Sequence, residues 1–165
     1  MNDTMILLDT DFASVLAKAD IVELVIKLFL GKHDLYITPE VYEELRVPEK
    51  YGFTFPQNIF QNIEILTVES EEQKQYLKLL NEISVLGKGE IESIVICENR
   101  SAIFATLDNK AKELSKNKGI KLLHIHSVLK LLLKTGICSK NDILDIIKKI
   151  EETDKRSLNL NLIFD

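Results

Sequence analysis

Five short apolar runs, each followed by helical periodicity or a polar turn, limit this 165-residue chain more than any other feature. The runs are Met5 to Leu8, Leu35 to Ile37, Ile63 to Val68, Ala102 to Thr106 and Leu122 to Ile125. Met5 to Leu8 is apolar without alternation, as in a strand buried on both faces. Between the runs the spacing predicts helices over Phe12–Ala19, Ile21–Leu30 and Asn109–Lys118, with Gly31 and Gly119 as stops. Thr38-Pro39 opens another helix, Thr as N-cap and Pro at the first position. Ser70 and Gln73 have capping-box spacing and launch a helix to about Val85. Glu90 begins a helix after Gly87-Lys88-Gly89, and His126–Thr135 and Ser139–Glu151 are two more, the first closed by Gly136. Pro48, Gly52 and Pro56 read as an irregular connection, and Ser157 to Phe164 alternates like an edge strand or an extended arm. Strands separated by helices imply an α/β fold of three α/β/α layers around a mostly parallel sheet. The chain reads as a single domain, 1–165, with 137–165 as its C-terminal helix and extended tail.

In such folds the ligand crevice lies beyond the carboxyl ends of the strands. Asp9 directly follows the first run, and Asp108 follows the fourth by two residues. Helix capping is the ordinary role of each, and with 26 acidic residues in 165 a single match means little. Glu44 lies three residues after Val41 on the helix opened by Pro39, so it borders the Val41/Leu45 core face while Glu43 points to solvent. A carboxylate beside an apolar stripe is costly unpaired, so a metal or a basic partner is expected; a surface pairing with Arg46 is the plainer alternative. Glu90 stands where a helix dipole favours negative charge, after two glycines that permit a close backbone approach. Four converging carboxylates cannot all stay ionised without a cation among them. Oxygen-only ligands favour Mg²⁺ or Mn²⁺, and such a site suits phosphodiester hydrolysis.

The formal charge of -5 argues against a general nucleic-acid binder, but the charge is uneven. Residues 1–100 hold 9 Lys+Arg against 18 Asp+Glu; residues 101–165 hold 12 against 8. The run Lys110, Lys112, Lys116, Lys118, Lys121 is either a solvated helix face or a patch that meets phosphates beside the acids. Thr10, Lys88, Asn109, Lys110 and Lys112 are the candidate substrate contacts. Cys97 and Cys138 sit among aliphatic residues, so a reduced, cytoplasmic setting without a disulfide is expected, and their spacing cannot make a zinc site. The apolar runs are too short or too charged for a signal peptide or a membrane span.

Four segments, in order and spacing, resemble the PIN-domain family. "ILLDTDFAS" is similar to the strand ending in the family's first metal-binding acid, here Asp9. "YITPEVYEELR" resembles the segment bearing the second, Glu44; "LGKGEIESIVIC" the Gly-rich turn with the third, Glu90; "AIFATLDNKAKELSKNKGIKLL" the strand with the fourth, Asp108. Together they cover residues 5 to about 135. The resemblance implies a five-stranded parallel sheet between helices and Mg²⁺- or Mn²⁺-dependent cleavage of RNA, with the four acids as metal-binding and catalytic residues. It also implies partners: an RNA substrate, an antitoxin protein for the many members that are toxins, and a second copy of the chain. The alternating tail could support that dimer by strand addition. The chain departs from the pattern at Glu90, where many members carry Asp, and at "HIHSVL", where Gly or Thr is common. His124 and His126 there fit core or surface placement better than a ligand pair, and Ser139 to Asp165 carries no motif.

Two rivals use the same residues. A haloacid dehalogenase-like phosphatase would use Asp9-Thr10-Asp11, with Asp9 as nucleophile and Asp11 as general acid, but leaves Glu90 without a role. A nucleic-acid-binding or scaffold module of the same fold would need no turnover at all.

Overall fold

The computed structural model describes residues 4–165; the first three residues of the expected domain lie outside the described residues. Strand β1 (Thr4–Leu8) leads through helices α1 (Thr10–Lys18) and α2 (Val22–Phe29) to β2 (His33–Ile37). Helices α3 (Pro39–Lys50) and α4 (Pro56–Asn62) precede β3 (Glu64–Ile65), and α5 (Ser70–Glu82) and α6 (Lys88–Arg100) precede β4 (Ile103–Ala105). The chain continues through α7 (Asn109–Asn117), β5 (Leu122–Leu123), α8 (Ile125–Lys134), α9 (Lys140–Asp154) and α10 (Asn161–Phe164). The sheet order is β3-β2-β1-β4-β5, and every pair is parallel.

The unbroken apolar run of β1 follows from its central position, where both faces are covered. Ile6 and Leu8 pack with Phe12, Leu16, Val25, Val128 and Ile143, from α1, α2, α8 and α9. Leu7, on the opposite face, joins Phe104, Ile94, Ile96 and Ala111, from β4, α6 and α7. Full burial of each such Leu, Ile or Phe contributes about 1.5–3 kcal/mol. Helix α5 closes over α6 through Tyr76, Ile91 and Val95. Gly119 and Gly136 take φ of +74° and +76° just past α7 and α8, the left-handed stop that an L side chain resists.

Four local expectations are corrected. Pro56 opens α4 rather than breaking the chain, and α3 runs on through Pro48, whose carbonyl accepts from Tyr51 at 3.0 Å. The box on α5 is closed by Glu69 and Glu72 instead of Ser70 and Gln73. The third strand shrinks from Ile63–Val68 to Glu64–Ile65, a short exposed edge that offers little for pairing. The tail folds into α10 against α8, with Leu158 and Ile163 buried, so the strand-addition route to a dimer has no strand. Cys97 and Cys138 are both free and buried, as expected. Among the described residues, no helix is long and apolar enough to cross a membrane.

Glu72 is buried at the α5–α6 junction, where Arg100 donates to both its oxygens at 2.8 and 2.6 Å and holds its carboxyl below the usual range. Arg100 also donates to the Thr67 carbonyl at 2.8 Å. Removing the guanidinium strands a buried carboxylate, so Arg100→Ala is expected to lower unfolding free energy by about 2–3 kcal/mol in urea titrations. Glu43→Ala, which breaks an exposed 3.8 Å pair with Arg46, should leave the midpoint unchanged.

Candidate active site at the carboxyl ends of the strands

The parallel register brings Asp9 and the turn that carries Asp108 together. Leu8 of β1 pairs with Ala105 of β4, so Asp9 and Thr106 leave adjacent strands side by side. Asp9, 2% exposed, caps α1: its Oδ1 accepts from the Phe12 amide at 2.7 Å. Its Oδ2 accepts a short hydrogen bond from the Thr106 hydroxyl, which itself accepts from the Asp108 amide at 3.2 Å. Thr106 therefore bridges Asp9 to the turn that presents Asp108. Asp108 caps α7, its Oδ1 accepting from Ala111 at 2.8 Å. Both aspartates cap helices, as the simpler reading holds, and they stand close enough for their charges to repel.

Glu44 and Glu90 meet where α3 crosses α6. Val41 and Leu45 are fully buried, Glu44 half-buried at their border and Glu43 exposed, as the helical spacing predicts. The partner of Glu44 is the Gly89 amide, which donates to Oε1 at 2.5 Å; Arg46 pairs with Glu43 instead. A side chain at Gly89 would collide with the Glu44 carboxylate and come within 2.9 Å of Val41 Cγ2. The close approach that the glycine permits is thus to Glu44 rather than to a ligand. A Cβ on Gly87 would lie 3.6 Å from Glu90 Oε1 and 3.7 Å from Glu44 Oε2, so these two oxygens share one rim.

Electrostatics set three of these acids, Asp9, Glu44 and Glu90, apart from ordinary surface carboxylates. Burial pushes Asp9 up to about 7 against its hydrogen bonds from Thr106 and Phe12, and the charges of Asp11 and Asp108 add to it. Burial, then repulsion from Asp108 and Asp9, pushes Glu90 up to about 7. Glu44 is raised too, by burial first. Glu90 Oε2 is buried with no hydrogen-bond partner. Among the described residues none of the four forms an ion pair. Nor does any group of three or more His, Cys, Asp or Glu close on a single point where a metal would sit. Glu44 and Asp108 each spend one oxygen on a backbone amide, which leaves the other free.

The weaker candidates divide. Thr10 starts α1 with its hydroxyl toward Glu44, favouring the ionised carboxyl without forming a bond of full geometry. Asn109 and Lys110 line a cavity of about 360 Å³ with Asp11, Asp108 and Arg156. Lys112 is half-buried within reach of the charges of Asp9 and Asp108. Lys88 is exposed at the first position of α6. Lys118 pairs with Glu98 at 3.2 Å at the far end of α6, away from the crevice. His126 Nε2 accepts from the Asn159 amide at 3.1 Å, so it holds the tail. Glu92, also buried, accepts from the Glu40 amide at 2.9 Å and serves the start of α3. Sequence reasoning missed Thr106, whose only signal is its place two residues before Asp108. It also missed Arg156, which had none.

A carboxyl raised from 3.8 to about 7 gives stability that is full below about pH 4 and lost as pH rises through 7. His124 and His126, both held low by burial, act in the opposite sense. The difference between a variant and the parent removes their contribution. Metal-free Asp9→Asn is therefore expected to melt at a Tm roughly 3–8 °C above the parent at about pH 8, with the gain vanishing near pH 4. Differential scanning calorimetry in chelator measures it; a Tm loss at both pH values would make Asp9 a cap alone.

A PIN domain family model matches residues 5–159. No curated protein matches the chain. Among solved structures the fold is similar to that of VapBC-1 from nontypeable Haemophilus influenzae. The TM-score is 0.54 at 16% identity, and the match covers 73% of this chain and 98% of that one. At that identity the likeness speaks for the fold. The family match extends over nearly the whole chain, and by it this chain belongs to the PIN-domain family.

Proposed function

We propose that this chain is a metal-dependent endoribonuclease that hydrolyses RNA phosphodiester bonds at Asp9, Glu44, Glu90 and Asp108. The observation that carries the reading is that Asp9, Glu90 and Asp108 repel one another without an ion pair among the described residues, with Glu44 on the same rim as Glu90. Two of them are pushed to about 7, and one buried oxygen, Glu90 Oε2, is left without a partner. A lone buried carboxylate oxygen is costly, and four neighbouring acids are costlier, unless a cation joins them.

That donor set fits a hard divalent cation, Mg²⁺ or Mn²⁺, better than zinc, since every available ligand is a carboxylate oxygen. Asp9, Glu44, Glu90 and Asp108 would hold it. Such an ion, when bound, activates a water and neutralises charge on a phosphate undergoing in-line displacement. The residues around it do the positioning. Thr106 and the Phe12 amide orient Asp9, and the Gly89 amide orients Glu44. Asn109, Lys110 and Lys112 border the acids, where phosphates can be received without displacing them. An antitoxin protein as partner, which the family resemblance implies for the many members that are toxins, belongs to the same reading.

The phosphatase alternative is not favoured. It leaves Glu90, raised by burial and by the charges of Asp108 and Asp9, without a role.

Incubation with a mixed single-stranded RNA pool, with and without Mn²⁺, tests the proposal. Cleavage should need Mn²⁺ and fall by at least ~100-fold in Asp108→Asn, whose cap is kept by the amide oxygen. Folded parent protein that binds no Mn²⁺ and cuts no RNA would leave the scaffold reading.

A further inference from the structure

The C-terminal segment, which carries no motif, brings Arg156 to the cavity that Asp108 lines. Helix α9 ends at Asp154, and Lys155 takes φ +50°, reversing the chain. Three contacts then pin the tail. Leu158 is buried, with its amide 3.4 Å from Glu151 Oε1; the Asn159 amide donates to His126 Nε2 at 3.1 Å; and Ile163 is buried.

Between the reversal and these anchors lies Arg156. It lines the cavity of about 360 Å³ that Asp11, Asp108, Asn109 and Lys110 also line. Its Nε donates to Asp154 Oδ2 at 2.9 Å, which fixes the direction of the side chain. Its two Nη groups have no hydrogen-bond partner among the described residues. A guanidinium with a free edge is shaped for a phosphate. The neighbours agree. Burial and the positive charges of Arg156 and Lys116 hold the Lys112 ammonium below its usual value, so cations crowd here although Asp9 and Asp108 are near. On the lining itself Lys110 and Arg156 stand beside Asp11 and Asp108, and Lys112 adds a third cation next to them, for a phosphate to meet.

We propose that Arg156, carried to the crevice by the C-terminal tail, binds an RNA phosphate beside the cleaved bond together with Lys110 and Lys112. The inference rests on the ribonuclease reading of the carboxylates. It gives the tail a role in substrate binding, and Asp154 the role of positioning residue for Arg156.

Fluorescence anisotropy of the full chain with a fluorescein-labelled single-stranded RNA oligonucleotide, in chelator over a range of salt, reads binding without turnover. Arg156→Gln is expected to weaken binding several-fold and to reduce the slope of log K against log salt by about 0.7, one phosphate contact fewer. Arg156→Lys should keep most of the slope. With Mn²⁺, Arg156→Gln should raise KM and leave kcat nearly unchanged. An unchanged slope and KM in Arg156→Gln, with RNA still bound and cut, would overturn the inference and leave the nuclease reading standing. Arg156-dependent binding by a parent protein that cuts nothing would do the reverse. Equal loss in the Gln and Lys variants together with a lowered Tm would mean that Arg156 only packs the tail, and would also overturn it.

Discussion

Asp9 is buried at the carboxyl end of the central strand, and its carboxylate has two tasks that pull in opposite directions. Through Oδ1 it satisfies the Phe12 amide and so starts α1, the helix that covers one face of the sheet. Through Oδ2 it is tied to Thr106 and, by way of that hydroxyl, to the Asp108 amide, so that β1 and β4 end in a single polar junction. Those bonds favour the charged form, while burial and the neighbouring acids disfavour it more strongly. The fold thus keeps a carboxyl near neutrality at the place where ligands bind in parallel α/β sheets. Glu90, at the start of α6, is balanced in the same way.

Around that junction the chain sorts its charges. Acids enter from β1, α3, α6 and the β4–α7 turn, while Lys110, Lys112 and Arg156 border them on α7 and the tail. An overall charge of -5 conceals this arrangement, because a phosphate would meet local cations before the acids repel it. Two other buried acids serve packing: Glu92 secures α3, and Glu72 with Arg100 secures α5 to α6.

Elements with strong local signals were legible in the sequence. The buried run of β1, the Thr38-Pro39 helix start and the glycine stops after α7 and α8 each depend on nearby residues, and each appears in the structure. The border position of Glu44 followed from helical spacing alone. What failed depends on contacts distant in sequence. The tail alternates polar and apolar residues, yet α8 offers a surface that a short helix covers, so α10 forms. Pro56 reads equally well as a breaker or as a first helical residue, and burial of Pro56 and Ile59 decides for the helix. The Gly89 amide that holds one oxygen of Glu44 comes from 45 residues away and left no local signal. Arg156 could not be found from local pattern, because only the reversal at Lys155 brings it to the crevice.

In the proposed function these acids await a divalent cation whose binding settles their charge. Burial and repulsion push two of them up to about 7, and a metal ligand must give its proton up. Isothermal titration of Mn²⁺ near pH 7, in two buffers of different ionisation enthalpy, counts the protons released. Saturable binding is expected, with net proton release that diminishes in Asp9→Asn. Absence of binding by folded protein, or binding with no proton release, would contradict the proposed role of the four acids.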